Sequence, residues 1–552
     1  MENNLDCSKK TALVSVYDKK GIVGFVTSLV RLGWQILASG GTAKVLKEAG
    51  IEVIDVAELV GGGAILGHRV VTLSRELHAG LLADTGDLSQ IEEMKQLGLP
   101  FIGLVCCDFY PLKEAIAKPE ATIESVVEMT DIGGPTMVRA AAKGNRIVIC
   151  DPADRAWVLA RLSLQELTAE DRQRLRTKAE AVVAEYVLDS ARFHSRGTFD
   201  GLLGSQVREL AYAENRFQNP ASLFSTGSND SLGWDKFEVL SGDPSYISIA
   251  DGDRALGVMC LLARTIQANL KWLAGRFVSP YIAIACKHGN PCGVAVHENS
   301  AKEAILKAML GDPIAVMGAE FMTNFPITTE LATAIHRVPD DLRQQVGREF
   351  WGTDVVYAPS FDRGAIELLG KKEKRRLLAN PALLDPQMPD EDWMIRPVRG
   401  GFLKQKQPNS IFVMMQPPTL IPEELISGML AFAVAWQSVS NTVSLAKDGM
   451  LIGLGCGQQD RIACVNLCLD RAKRAGHDPQ GSWFASDAFF PYAEREREDS
   501  PKEGPELLSD AGCVGGFVPR GSKNDVKVIV FFMEHGLRVQ WLPPEHRGFF
   551  GH

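Results

Sequence analysis

Ala12-Leu-Val-Ser-Val16, Gly21-Ile-Val-Gly-Phe-Val-Thr-Ser-Leu-Val-Arg-Leu-Gly33, Gln35-Ile-Leu-Ala-Ser39 and Thr42-Ala-Lys-Val-Leu-Lys-Glu-Ala-Gly50 follow one another with little between them. The short apolar runs suit buried strands, and the longer stretches, closed by Gly33 and Gly50, suit helices. Such alternation predicts a parallel sheet covered by helices. Phe101-Ile-Gly-Leu-Val-Cys-Cys107 and Arg146-Ile-Val-Ile-Cys-Asp151 continue it as further buried strands.

After Pro152 the pattern turns helical. Thr168-Ala-Glu-Asp171 has the form of a capping box, and Leu175, Ala179, Val182, Val183 and Tyr186 mark one buried face. This helix is expected to close a first domain, 1–200, followed by a second α/β region, 201–552. A further break is expected near 370–400, where the basic run Lys371-Lys-Glu-Lys-Arg-Arg376 leads into Asn380-Pro, Asp385-Pro, Met388-Pro and Arg396-Pro. That run reads as a solvated helix face and a connector. No short-period repeat is evident.

The 552 residues carry 59 Lys and Arg against 68 Asp and Glu, a net charge of −9, which argues against nucleic acid as a partner. No apolar run approaches the roughly 20 residues of a membrane span, and the N-terminal residues lack an apolar signal core. The expectation is a cytoplasmic protein without membrane association. Eleven cysteines without a paired C-x-x-C suit reduced thiols, and Cys464 and Cys468, one helical turn apart, read as core residues rather than metal ligands. No metal is expected.

Two stretches carry chemistry. Ser39-Gly40-Gly41-Thr42 sits between a strand and a helix, where backbone N–H groups converge as they do around a phosphate. Tight chain reversal alone also calls for glycine there. Tyr281-Ile-Ala-Ile-Ala-Cys breaks at Lys287-His288-Gly289-Asn290-Pro291-Cys292-Gly293, which places a cation and an imidazole at the end of a buried strand.

Together with LGHRVVTL (66–73), HAGLLAD (78–84), DFYPL (108–112), TDIGGPTMVRAAAK (130–143) and CDPAD (150–154), the first 155 residues resemble the bifunctional purine-biosynthesis family that joins AICAR formyltransferase to IMP cyclohydrolase. The remainder resembles the formyltransferase half through the Lys287–Gly293 string, Ala358-Pro-Ser-Phe-Asp362, Gly400-Gly-Phe-Leu403, Ser440-Asn441, Ala446-Lys-Asp-Gly449, Gly455-Cys-Gly-Gln-Gln-Asp-Arg461, Ser486-Asp-Ala-Phe-Phe-Pro491 and the terminal His552.

The resemblance implies a methylglyoxal-synthase-like parallel-sheet domain followed by two cytidine-deaminase-like α/β/α subdomains, with active sites shared in an intertwined homodimer. It implies AICAR and 10-formyltetrahydrofolate as substrates, and formyl-AICAR closed to IMP in the first domain. There Ser39, Gly40, Gly41 and Thr42 would hold the phosphate, with Ser15, Lys19, Arg69 and Thr72 beside them. Tyr110, Asp131 and Lys143 would take the polar roles of ring closure. The bland alternative makes Asp131 a turn cap and Lys143 a helix-end cation.

In the second half His288 would be the base for a weakly nucleophilic amine. Lys287 would help keep it neutral by like-charge repulsion and donate to the oxyanion. Asn441 would orient substrate, Tyr212, Arg461 and His552 would contact it, and Phe489 and Phe490 would offer apolar surface to the folate ring.

Departures accompany the resemblance. Val71 stands where the family has lysine, Tyr17 where it has serine, and Asp108 where it has asparagine. Loss of one oxyanion donor typically costs about 10² to 10³ in rate. Ala211 replaces an arginine that would meet the nucleotide phosphate, Phe217 replaces a nearby histidine, and Arg216 offers a shifted cation. Asp312-Pro-Ile-Ala-Val-Met-Gly318 lacks the family's hydroxyl and aromatic, and Glu494 stands where the family often has aspartate. Three readings follow: a formyltransferase with cyclohydrolase activity present or weakened, a monofunctional formyltransferase, and a non-catalytic purine-nucleotide sensor.

Overall fold

The computed structural model describes residues 9–66, 69–371, 375–389, 393–408, 411–414 and 419–548. The chain divides into two compact units, Met1–Leu203 and Gly204–His552.

In the first unit, β1 (Thr11–Ser15), β2 (Gln35–Ala38), β3 (Ile54–Asp55), β4 (Ile102–Cys107) and β5 (Ile147–Ile149) form a wholly parallel sheet in the order β3-β2-β1-β4-β5. Successive side chains alternate between its faces. Ala12 and Val14 pack with Ile22, Phe25 and Leu29 of helix Ile22–Arg31, while Leu13 meets Leu77, Leu81 and Met137 on the other side. Strand order reverses between β1 and β4, and the crevice outside their carboxyl ends is where open parallel sheets bind ligands. Helix Ala169–Ser195 starts at the Thr168–Asp171 capping box and buries Leu175, Ala179 and Val183.

In the second unit, β6 (Ser205–Glu209) with β7 (Ser222–Ser225), and β14 (Trp393–Val398) with β15 (Gly401–Lys406), are separate two-stranded ribbons. The other strands are β8 (Glu238–Ser241), β9 (Tyr281–Lys287), β10 (Asn290–His297), β11 (Glu320–Thr323), β12 (Val355–Ala358), β13 (Arg376–Ala379), β16 (Val443–Lys447), β17 (Met450–Gly455), β18 (Trp483–Ser486), β19 (Gly515–Pro519) and β20 (Arg538–Leu542). They form one mixed sheet in the order β20-β19-β18-β16-β17-β10-β9-β11-β12-β13-β8.

The unit is a tandem that the sequence did not announce. A helix, an antiparallel hairpin, and then three helix-strand steps run from Tyr246 to Ala379 and again from Pro422 to Leu542, apart from the short turn of helix Arg343–Val346. Helices Tyr246–Ala268 and Pro422–Gln437 share one apolar core on one face of the sheet. On the other face each half has its own core, around helix Ala301–Gly311 and around helix Arg461–Arg474. Each half is thus an α/β/α sandwich.

The basic run at 371–376 is not wholly a solvated connector. Arg375 is 1% exposed and donates Nε–H to Thr353 O at 3.0 Å, and Arg376 opens β13. Leu377 and Leu378 carry β13 into the sheet, so the link between the halves begins after Ala379. Cys464 and Cys468 are buried in the core, and the ten described cysteines form no disulfide.

Candidate functional site

In the first unit, Ser39 occupies the N-cap of helix Gly40–Glu48 without capping it. Its hydroxyl lies 2.8 Å from that of Ser15 at the end of β1. Thr42 braces the chain instead, its hydroxyl accepting Val16 N–H and donating to Val16 O at 3.1 Å each. The Lys19 ammonium folds back on the carbonyls of Val16 and Tyr17, and a side chain at Gly41 would stand 3.9 Å from its Cε. Ser15, Lys19, Ser39, Gly40, Gly41 and Thr42 therefore surround one spot at a helix N-terminus, an arrangement suited to an anion.

Asp108, at the end of β4, accepts the N–H groups of Tyr17 and Asp18 and pairs with Arg155 at 3.3 Å. Its charge is offset by a guanidinium that the sequence reading missed. Burial lifts the Asp108 carboxyl above its usual range, against the Tyr17 N–H and Arg155. Burial likewise lowers the Lys19 pKa, against Asp108 and Asp18. Tyr17 and Tyr110 meet edge to face at 5.5 Å.

Asp131 accepts Gly134 N–H at 2.8 Å and so caps the turn into helix Gly133–Lys143. Burial raises its pKa despite the N–H groups of Gly134, Tyr110 and Gly133, and burial followed by the Asp131 charge raises that of Tyr110. Thr72 is buried, and a side chain at Gly133 would stand 2.5 Å from its hydroxyl. Val71 packs against the apolar core of the sheet.

Two further expected residues have other neighbours. Arg69 is exposed and ion-paired with Glu128. Lys143 ends its helix, about 15 Å along the axis from Gly133. With Asp131, Arg139, Arg176 and Tyr186 it lines a groove of about 740 Å³ between that helix and helix Ala169–Ser195.

In the second unit, β9 and β10 are joined by the two-residue turn His288-Gly289, whose φ values of 52° and 71° fit a type I′ hairpin. Asp251, on helix Tyr246–Ala268, accepts His288 N–H and Gly289 N–H at 2.7 Å each, one on each carboxylate oxygen. The imidazole is exposed and Lys287 half-buried, with its Nζ donating to Met317 O at 2.6 Å.

Asn441 donates Nδ2–H to Gln458 O at 2.9 Å and accepts from Arg461 Nη2 at 2.9 Å. The Arg461 guanidinium also donates to Thr442 O and forms an ion pair with Asp487, the two side chains 7% and 1% exposed. Arg461 is thus largely buried, and it fixes Asn441. Gly548 N–H donates to Asp487 O at 2.8 Å, bringing the C-terminal segment to this cluster; His552 lies outside the described residues.

Strand directions place these groups. β16 runs antiparallel to β17, and β17 to β10, so the start of β16 and the His288 turn lie at the same end of the sheet. β17 and β10 intervene, which puts β16 about 14 Å from β9. Arg376 opens β13 at that same end, where the Oη of Tyr212 accepts from it at 3.3 Å. Arg376 and Arg216 stand 5.5 and 5.9 Å from the Tyr212 ring.

The two adjacent phenylalanines part company. Phe489 is half-exposed with Arg547 5.7 Å from its ring, whereas Phe490 is 1% exposed among Phe484 and Phe532. Phe490 is a core residue and offers no ligand surface, a correction to the sequence expectation. Asp487 stood inside a quoted string without being singled out; Asp251 and Glu320 gave no signal beyond an acid in an apolar stretch.

A parallel sheet with an anion cradle at its switch point, and a duplicated α/β/α unit with its own polar sheet end, define a two-domain α/β protein with a candidate small-molecule site in each unit. The chain belongs to the AICARFT/IMPCHase bienzyme family, which matches residues 141–471, and the MGS-like domain family matches residues 21–136. The bifunctional purine biosynthesis protein PurH of Bacillus cytotoxicus is 31% identical, with 98% of this chain and 99% of that protein covered. The protein of the same description from Bacillus cereus strain B4264 is 32% identical with the same shares. A solved structure, the crystal structure of ForH, is 33% identical over 34% of this chain and 98% of that one, with a TM-score of 0.31.

Proposed function

We propose that the chain performs two consecutive steps of late purine synthesis: formyl transfer from 10-formyltetrahydrofolate to AICAR at the Lys287–Asn290 turn, and closure of formyl-AICAR to IMP in the first unit. The observation that carries the reading is the common sheet end shared by the exposed His288, Lys287, Tyr212 and Asn441.

In the transfer, the AICAR amine forms a bond to the formyl carbon, the carbon–N10 bond breaks, and tetrahydrofolate leaves. His288 takes the amine proton and passes it to N10 as tetrahydrofolate leaves, Lys287 donates to the oxyanion, and Asn441 orients the reacting groups. A positioned base contributes about 10² to 10⁴. Arg376 and Arg216 beside Tyr212 supply positive charge near the position of Ala211.

Hydrogen-bond reach is far shorter than the distance of about 14 Å between β9 and β16, so one copy does not bring His288 and Asn441 onto the same atom. A homodimer in which each site takes groups from both copies accounts for this. Co-expressing His288→Ala and Asn441→Ala chains should restore about a quarter of wild-type transfer, from hybrid dimers with one intact site. No restoration places both residues in one copy's site.

Ring closure joins the carboxamide nitrogen to the formamide carbon and expels water. The Ser39–Thr42 cradle, Ser15 and Lys19 hold the phosphate, and Asp131 and Tyr110, both with raised pKa, handle protons. Val71 gives no oxyanion donor. Feeding formyl-AICAR directly should yield IMP slowly, and Val71→Lys should raise that rate by about 10² if one donor is what is lacking. No IMP from either protein favours the monofunctional reading.

Among the described residues no helix is long and apolar enough to cross a membrane. The cytoplasm is the compartment this reading assigns.

A further inference from the structure

A carboxyl pair lies under the Lys287–Asn290 turn. Glu320 opens β11 opposite Cys286 of β9, and its carboxyl is hydrogen-bonded to that of Asp251, which holds the turn. Asp251 is 6% exposed and Glu320 4%, and Glu320 Oε2 has no hydrogen-bond partner among the described residues. A carboxyl this dry beside the Asp251 carboxylate does not ionise readily, because burial and the neighbouring charge both oppose it.

The duplication supplies an internal comparison. The Asp448-Gly449 turn joins β16 to β17 with nearly the same φ values, 52° and 70°. It is held by the Ser427 hydroxyl, which accepts Gly449 N–H at 3.1 Å. Opposite Ala446, where the first half has Glu320 opposite Cys286, stands Trp483 at 2% exposure. The architecture accepts an apolar ring at this position, so the costly buried acid answers a need peculiar to the His288 turn.

We propose that Glu320 is a positioning residue for the transfer site: carrying a proton, it donates to Asp251, which in turn fixes the His288–Gly289 turn. This rests on the formyltransferase reading above. Around the pair stand Arg254 on the helix of Asp251, Cys286 and Lys287 on β9, Cys292 on β10, and Asp354 and Tyr357 on the approach to and along β12. Burial first, and then Asp251, push the Glu320 carboxyl up to about 9. The folded state therefore holds this proton above the ordinary value of 4.5, and the stability the group contributes is lost as pH rises from there to about 9. Above that, a second charge repels Asp251 and the turn loosens.

The test combines the pH profile of formyl transfer with hydrogen exchange at the His288 and Gly289 amides, corrected for its intrinsic pH dependence. In the unaltered protein kcat should fall with a midpoint near 9, the KM for AICAR should move less than about twofold, and both amides should lose protection over the same range. Glu320→Gln keeps a donor to Asp251 without a titrating proton and should lose both alkaline changes. Glu320→Ala removes the donor and should lower kcat about 10- to 100-fold with weak amide protection at every pH. Matching alkaline limbs and matching protection in the unaltered protein and Glu320→Gln would overturn the proposal. The exchange readout needs no turnover: a protein that transfers no formyl group but loses its pH-dependent protection in Glu320→Gln refutes the formyltransferase reading and upholds the positioning role.

Discussion

Replacing His288 with alanine is expected to cut formyl transfer by orders of magnitude and to leave ring closure intact. The imidazole is exposed at a hairpin tip, so its removal opens no cavity, and the stability change should stay within about 0.5 kcal/mol. Loss of a positioned base lowers transfer by about 10² to 10⁴. Closure of formyl-AICAR, proposed for the cradle of the first unit, should be unaffected. Assaying the two reactions separately on the same preparation checks this, and equal loss of both contradicts the division into two sites.

The second large effect is expected at Asp487. Its carboxylate is the buried partner of Arg461, and it also accepts Thr442 N–H at 3.0 Å. Asp487→Ala strands a guanidinium in the interior, which typically costs about 3 to 5 kcal/mol. The thermal midpoint should fall accordingly, and formyl transfer should fall with it because Arg461 no longer holds Asn441 Oδ1. Pairing Asp487→Ala with Arg461→Met removes both charges and should recover most of the stability but little of the transfer activity. A single variant within about 1 kcal/mol of wild type would show that the pair contributes little.

The first unit was largely legible in the sequence because strands buried on both faces read as continuous apolar runs, and Ala12–Val16, Gln35–Ala38 and Ile102–Cys107 do so. Strand order is not written in such runs, so the reversal between β1 and β4 emerged only from the fold. The tandem of the second unit stayed hidden because its halves share few residues: Lys287-His288-Gly289 answers to Lys447-Asp448-Gly449, but Cys286 answers to Ala446 and Glu320 to Trp483.

The polar supports were illegible for another reason. Asp251 lies 37 residues from His288 and Asp487 45 residues from Thr442, so neither partnership leaves a local spacing. Phe489 and Phe490 are neighbours of one chemical type, and only packing against Phe484 and Phe532 decides which is core. Arg375 counts as surface by its charge, yet Thr353 O satisfies its Nε–H inside.

Formyl transfer onto AICAR at the Lys287–His288 turn is measured most directly by the release of tetrahydrofolate when purified protein meets AICAR and 10-formyltetrahydrofolate. One tetrahydrofolate should appear for each AICAR consumed, as formyl-AICAR or IMP, and its release should cease when AICAR is omitted. Protein that binds AICAR and the formyl donor yet releases no tetrahydrofolate would contradict the account.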